Sequence, residues 1–288
     1  IVFMGTPDFA VGVLAHLVEQ DKKIVAVITA PDRPAGRGRK LKPSAVKEYA
    51  LTKKIPVLQP TNLKDEAFIE ALRSYDANLQ IVVAFRMLPK VVWQLPEYGT
   101  FNLHASLLPE YRGAAPINWA IINREKTTGV TTFFIDEKID TGEVILKKEV
   151  PIGENETVGS LHDTLMQVGS NIVLKTVDAI ANNTVTTQAQ PMSGHFKEAP
   201  KLTTENTRID WSRSIKDIDA QVRGLSPYPV AWCYLLQNKE KLKLKVYDTT
   251  PQEGTPTEAI GTVLTSKKTI KVACADGYLY INELQLPG

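Results

Sequence analysis

Cysteine is scarce. Only Cys233 and Cys274 occur in 288 residues, and no C-x-x-C spacing joins them. That excludes a disulfide framework and predicts two free thiols serving as buried packing residues. Histidine is nearly as rare. His16, His162 and His195 are scattered without ligand spacing, so no metal site is expected. No apolar run approaches the roughly 18 residues that cross a bilayer, and no charged-then-apolar leader opens the chain. The expectation is a cytoplasmic protein with no membrane partner.

Several nucleotide and hydrolase motifs are also missing. The opening turn is Gly5-Thr-Pro-Asp8, not G-x-G-x-x-G, so it lacks the glycines that let a pyrophosphate approach the backbone. There is no G-x-x-x-x-G-K-[ST], no G-x-S-x-G and no H-E-x-x-H. Charge of one sign is lacking as well. Lys and Arg number 34 against 32 Asp and Glu, so bulk electrostatics do not announce a nucleic-acid binder. The distribution says more. Arg33, Arg37, Arg39, Lys40 and Lys42 crowd one short stretch without an acid, hinged by Gly36 and Gly38. A basic loop of that kind can mould onto phosphates, or can stand as plain solvated surface.

An apolar share of 43% suits a substantial core, and the length suits about two domains. The first half alternates strand-like and helix-like runs. Ile1–Met4, Ile24–Ile28, Val57–Gln59, Leu79–Phe85 and Thr100–His104 read as strands. Phe9–Val18, a Ser44-capped helix through Lys53, Lys64–Arg73 and Pro116–Asn123 read as helices. That order predicts an α/β, doubly wound, Rossmann-like and mostly parallel sheet, closed by a long helix from Thr157 to Ala181. A polar segment with Pro191, Gly194 and Pro200 follows. Short β-prone runs then recur from Val230 to Leu284, which predicts a small all-β, OB-like barrel. The expected division is 1–185, a linker at 186–205, and 206–288. In Lys241-Leu-Lys-Leu-Lys245 three lysines share one strand face, which suits RNA contact or a protected sheet edge.

The densest signal is Phe101 to Asn118, FNLHASLLPEYRGAAPIN. Strand alternation places Asn102 and His104 on one face, immediately before a turn-rich stretch. An amide and an imidazole at a strand end can stabilise the oxyanion of a tetrahedral centre. Asp140, in Ile139-Asp-Thr-Gly142, would orient the ring and favour its charged form. Ser106 follows closely but reads as a residue that shapes the turn.

FNLHASLLPEYRGAAPIN followed by IDTGEVI closely resembles the 10-formyltetrahydrofolate-dependent formyltransferases. IVFMGTPDFA at the start and PDRPAGRGRKLKPSAVK at 31–47 point to the branch that acts on tRNA. The resemblance implies that Asn102, His104 and Asp140 are catalytic. It implies 10-formyltetrahydrofolate as formyl donor, held by Met87, Leu88, Ser106, Leu107, Leu108 and Pro109. It implies initiator methionyl-tRNA as acceptor, met by Arg37 with Arg33, Arg39, Lys40, Lys42 and Lys201. A monomer without metal is expected, extending beyond Ile1 and Gly288. The chain departs from the family pattern at Arg86-Met-Leu-Pro89, where relatives are richer in glycine. The rival within the family is a sugar-nucleotide N-formyltransferase using the same donor. Outside it stands a non-catalytic RNA- or folate-binding protein.

Overall fold

The computed structural model describes residues 1–35, 40–191, 193–238 and 240–287. Strand β1 (Val2–Gly5) is buried along its whole length. It turns through Thr6-Pro7 into α1 (Asp8–Glu19), whose buried Phe9, Val13, Leu14 and Leu17 fall at helical spacing. Then come β2 (Ala26–Ile28), an antiparallel hairpin of β3 (Arg33–Ala35) and β4 (Lys40–Lys42), and α2 (Ala45–Thr52). The Ser44 hydroxyl accepts from the Lys47 N–H at 3.1 Å, capping α2. After β5 (Val57–Leu58), α3 (Glu66–Ser74) starts later than its lysine-led pattern suggests. Asp65 is the residue whose carboxylate accepts from the Phe68 N–H and caps it.

The path continues through β6 (Gln80–Val83), the short α4 (Lys90–Trp93), β7 (Thr100–His104), β8 (Arg112–Gly113) and α5 (Pro116–Ile122). β9 (Thr127–Phe134), β10 (Val144–Pro151) and the long α6 (Val158–Ala181) follow. Seven strands form one sheet in the order β10-β9-β7-β6-β1-β2-β5. From β7 to β5 every pairing is parallel, and β9 runs antiparallel to β7. The chain winds outward from β1 to β5 and then returns to β6 on the other side of β1. Open α/β sheets bind ligands at such a reversal, beyond the carboxyl ends of the strands. Near-continuous apolar burial in β1 and β6 is what strands covered on both faces require.

Contacts divide the chain into two compact units. One holds Ile1–Arg112, Gly129–Val150 and Asp163–Lys197, and the other Gly113–Thr128, Pro151–His162 and Glu198–Gly288. The second unit contains β11 (Glu198–Ala199), α7 (Ile215–Leu225) and five strands. These are β12 (Ala231–Gln237), β13 (Glu240–Glu253), β14 (Val263–Thr265), β15 (Ile270–Ala273) and β16 (Gly277–Gln285). They pair antiparallel in the order β12-β13-β16-β15-β14.

Helix α7 is an addition to the expected all-β domain. Ser214 caps it, and Ile215, Ile218, Val222 and Leu225 form one fully buried stripe. That stripe packs in a cluster with Ala231, Leu244, Val246 and Leu279 from the sheet. Cys233 and Cys274 are free and buried, and burial pushes both thiols up to about 11. Among the described residues no helix is long and apolar enough to cross a membrane.

Candidate active site

Strand β7 lies between β6 and β9, and its carboxyl end carries Asn102 and His104. Opposite His104 on β9 stands Thr131. The Thr131 hydroxyl donates to the Ser106 carbonyl at 2.6 Å and accepts from the Leu108 N–H at 3.2 Å. The neighbouring strand thus pins the turn that follows His104. Ser106 is fully buried and its own hydroxyl donates to the Glu110 carbonyl at 2.6 Å, so it shapes the turn. Lys147, on β10, donates to the Leu108 carbonyl, and burial holds its ammonium below the usual lysine range.

His104 is buried. Its Nε2 lies 2.8 Å from the carbonyl of Tyr111. A carbonyl only accepts, so that nitrogen carries the proton. Its Nδ1 lies 3.8 Å from Oδ2 of Asp140. Asp140 comes from the loop after β9 and has a left-handed backbone, φ +55°. Local bonds hold this loop. Asp136 accepts from the Lys138 N–H at 2.9 Å and from the Thr141 hydroxyl at 2.8 Å, while Glu137 pairs with Lys90 at 2.6 Å. A Cβ on Gly142 would lie 1.7 Å from the Phe134 carbonyl oxygen, so only glycine fits there. Asn102 has a buried Oδ1 without a hydrogen-bond partner.

The structure therefore brings His104 and Asp140 together, with Asn102 two residues away on β7. The residues expected to hold the donor are placed unevenly. Met87 is exposed, and Leu107 and Pro109 are half-buried. Leu88 packs in the cluster around Val2, Met4 and Ile28, and Leu108 packs against Phe133 and Val144. Arg86 donates to the carbonyls of Pro60 and Thr61.

The basic stretch is a hairpin at its base. Arg33 and Lys42 are exposed and directly opposed, and Lys40 opposes Ala35. Arg37 and Arg39 lie outside the described residues. Asp32 anchors the hairpin, bonded to Lys47 Nζ at 2.6 Å and Gln59 Nε2 at 2.7 Å. Those two bonds, Gln59 first, hold the Asp32 carboxyl below its ordinary range. Lys201 is exposed in the second unit. There, Lys241 and Lys243 sit 3.9 Å and 4.1 Å from the ring centres of Tyr234 and Trp232.

Sequence reading did not reach Tyr111, Thr131, Lys147, Arg112 or Gln190. Tyr111 and Arg112 lie inside the 101–118 run, in a stretch that reads only as a turn. Gln190 lies in an aperiodic polar stretch that carries no local signal. Among the described residues no three His, Cys, Asp or Glu side chains gather as a metal site would require.

Residues 1–177 match the family described as formyl transferase, and residues 201–288 match the formyl transferase C-terminal domain. A methionyl-tRNA formyltransferase of Flavobacterium psychrophilum is 57% identical over 289 residues, covering 100% of this chain and 92% of the relative. One of Bacteroides thetaiotaomicron is 53% identical, covering 100% and 91%. Among solved structures, an N-formyltransferase from Helicobacter canadensis, in complex with folinic acid and dTDP-3-aminofucose, superposes with a TM-score of 0.67. It is 21% identical and covers 99% of this chain and 98% of its own. HypX from Aquifex aeolicus, in complex with tetrahydrofolic acid, superposes at 0.68 with 19% identity, over 100% of this chain and 44% of its own. At those identities the likeness is one of fold. The chain belongs to the formyl transferase family, among the methionyl-tRNA formyltransferases.

Proposed function

We propose that this chain transfers a formyl group from 10-formyltetrahydrofolate to the α-amino group of methionine on initiator methionyl-tRNA. The observation that carries the reading is the meeting of His104 with Asp140, from separate stretches, at the carboxyl end of β7. Bound formyl-folate supplies the one-carbon unit already attached to nitrogen. The protein then needs no nucleophile of its own, and the committed hydroxyl of Ser106 agrees with that.

The Asn102 side chain fits such a ligand because one buried end of its amide lacks a partner. Turned so that its N–H points there, the amide donates to the formyl oxygen as negative charge gathers. His104 carries its proton on Nε2, so Nδ1 is the atom that takes the proton of the attacking amine. The charged ring then lies beside Asp140, with both side chains largely shielded from solvent. Its Nδ1–H donates to the oxygen and then gives the proton to the folate nitrogen as the bond from that nitrogen to the formyl carbon breaks, so that tetrahydrofolate leaves and the neutral ring is restored. Holding amine and formyl carbon at attack distance contributes the rest.

Met87 and the Ser106–Pro109 turn are assigned as walls of the donor site, with Leu88 and Leu108 behind them. Arg33, Arg37, Arg39, Lys40, Lys42 and Lys201 are assigned to tRNA. Like charges directly opposed across a hairpin repel, and a phosphate backbone between Arg33 and Lys42 relieves that. In this reading residues 1–185 carry the chemistry, 186–205 run past the Asp140 loop and then lead out of it, and 206–288 take the tRNA. The protein works as a cytoplasmic monomer without a metal.

The experiment is formyl transfer from 10-formyltetrahydrofolate to charged initiator tRNA in one reaction and to an amino-sugar nucleotide in another. N-formyl-methionine on the tRNA is the expected product. Transfer to the sugar alone would move the chain to the other branch.

A further inference from the structure

The segment from Thr187 to Gln190 runs along the loop that carries Asp140. Gln188 and Val144 exchange both backbone hydrogen bonds at 2.9 Å. The Thr187 hydroxyl donates to Oε2 of Glu143 at 2.6 Å. Two residues past Gln188, the side chain of Gln190 turns onto the same loop and is buried, 6% exposed.

Its Nε2 donates to the carbonyl of Asp140 at 3.0 Å and to that of Gly142 at 2.8 Å. Its Oε1 accepts from Arg112 Nη2 at 2.7 Å and Nε at 3.3 Å. Arg112 Nε also reaches the Asp140 carbonyl, at 3.0 Å. All four hydrogen-bonding positions of the amide are engaged. The arrangement fixes which way the amide faces. Reversed, it would set oxygen against two carbonyls and N–H against a guanidinium. The carbonyl that receives two donors belongs to the residue whose backbone is left-handed, a conformation disfavoured wherever a Cβ is present.

We infer that Gln190, braced by Arg112, is a positioning residue for formyl transfer: it holds the Asp140 peptide in the conformation that sets its carboxylate beside Nδ1 of His104. The inference rests on the reading of Asp140 given above, and Gln190 acts through that residue without touching the reacting atoms. It also gives the polar stretch after α6 a task in the first unit, since Thr187, Gln188 and Gln190 are all fastened to the catalytic loop.

The test is a double-mutant cycle read in steady-state kinetics. Gln190→Ala is expected to lower kcat about 10- to 100-fold. The KM values for formyl-folate and tRNA should stay within about twofold. In an Asp140→Ala background the same change should cost less than about twofold more, because its route of action is already gone. Gln190→Glu keeps the volume but turns an oxygen toward two carbonyls. It should show the same kcat loss, and it serves if Gln190→Ala does not fold. An equal loss in both backgrounds, or a raised KM at unchanged kcat, overturns the inference while leaving the role of Asp140 standing. Full turnover in Asp140→Ala alone removes that role, and this inference with it.

Discussion

Nδ1 of His104 stands 3.8 Å from the carboxylate of Asp140 while the opposite ring nitrogen is held at 2.8 Å by the carbonyl of Tyr111. One contact fixes the tautomer and the other waits for charge. A neutral ring directs a lone pair at a carboxylate, whereas a protonated ring makes an ion pair with it.

Removing any member of the set should show in turnover first. Asn102→Ala, His104→Ala and Asp140→Ala are each expected to lower kcat by at least about 10²- to 10³-fold, the first two through a lost oxyanion donor and the third through the loss of the carboxylate beside the His104 ring. Formyl-folate affinity, measured by titration, should hold. A His104→Ala enzyme turning over at near-normal rate would sink the assignment.

The hairpin makes a prediction of a different kind. Arg37→Ala should weaken productive use of tRNA and reduce its salt slope by about one. Hydrolysis of formyl-folate without tRNA should stay nearly unchanged. A defect confined to the donor would place Arg37 elsewhere.

Acid should loosen the base of the same hairpin. The native Asp32 carboxyl lies below 3.8, held down by Gln59 first and Lys47 second. A depressed native pKa means that the unfolded chain binds more protons in the window below 3.8. The contribution of this group is therefore whole above that value and is lost as pH falls through the native pKa. Amide protection in β3 and β4, taken relative to the intrinsic exchange rate at each pH, should fall over that interval. Asp32→Asn should abolish the fall, and an unchanged profile in that variant would show that another group controls it.

Glycine tolerance should differ sharply by position. Gly142→Ala forces a Cβ onto the Phe134 carbonyl oxygen, whereas a Cβ on Gly254 meets nothing within 4 Å. Gly142→Ala is expected to destabilise by about 1–3 kcal/mol or more and to lower activity with it. Gly254→Ala should leave the unfolding midpoint unchanged. Equal midpoints would show that the 140–142 loop relaxes freely.

Where periodicity was strong, the fold could be read directly. Buried β1 and β6, the Ser44 cap of α2 and the long α6 follow from local rules of pattern and capping. Helix α7 was spelled out too, by Ser214 and by apolar residues at 215, 218, 222 and 225, but β-prone runs on its C-terminal side outweighed it. The β3–β4 hairpin had no such signal, because Arg33-Pro-Ala35 and Lys40-Leu-Lys42 are too short and too charged to read as strands.

The sequence alone determined which polar groups stand at the end of β7, since alternation along one strand is a property of the backbone. It also determined the helical and parallel-strand layout, since local patterning and caps act over a few residues. What meets His104 was decided only in three dimensions. Asp140 lies 36 positions away, and Gln190 a further 50 beyond it. Hydrogen bonds depend on where atoms come to rest, not on how far apart they lie along the chain, and only the packed sheet brings these three to one place.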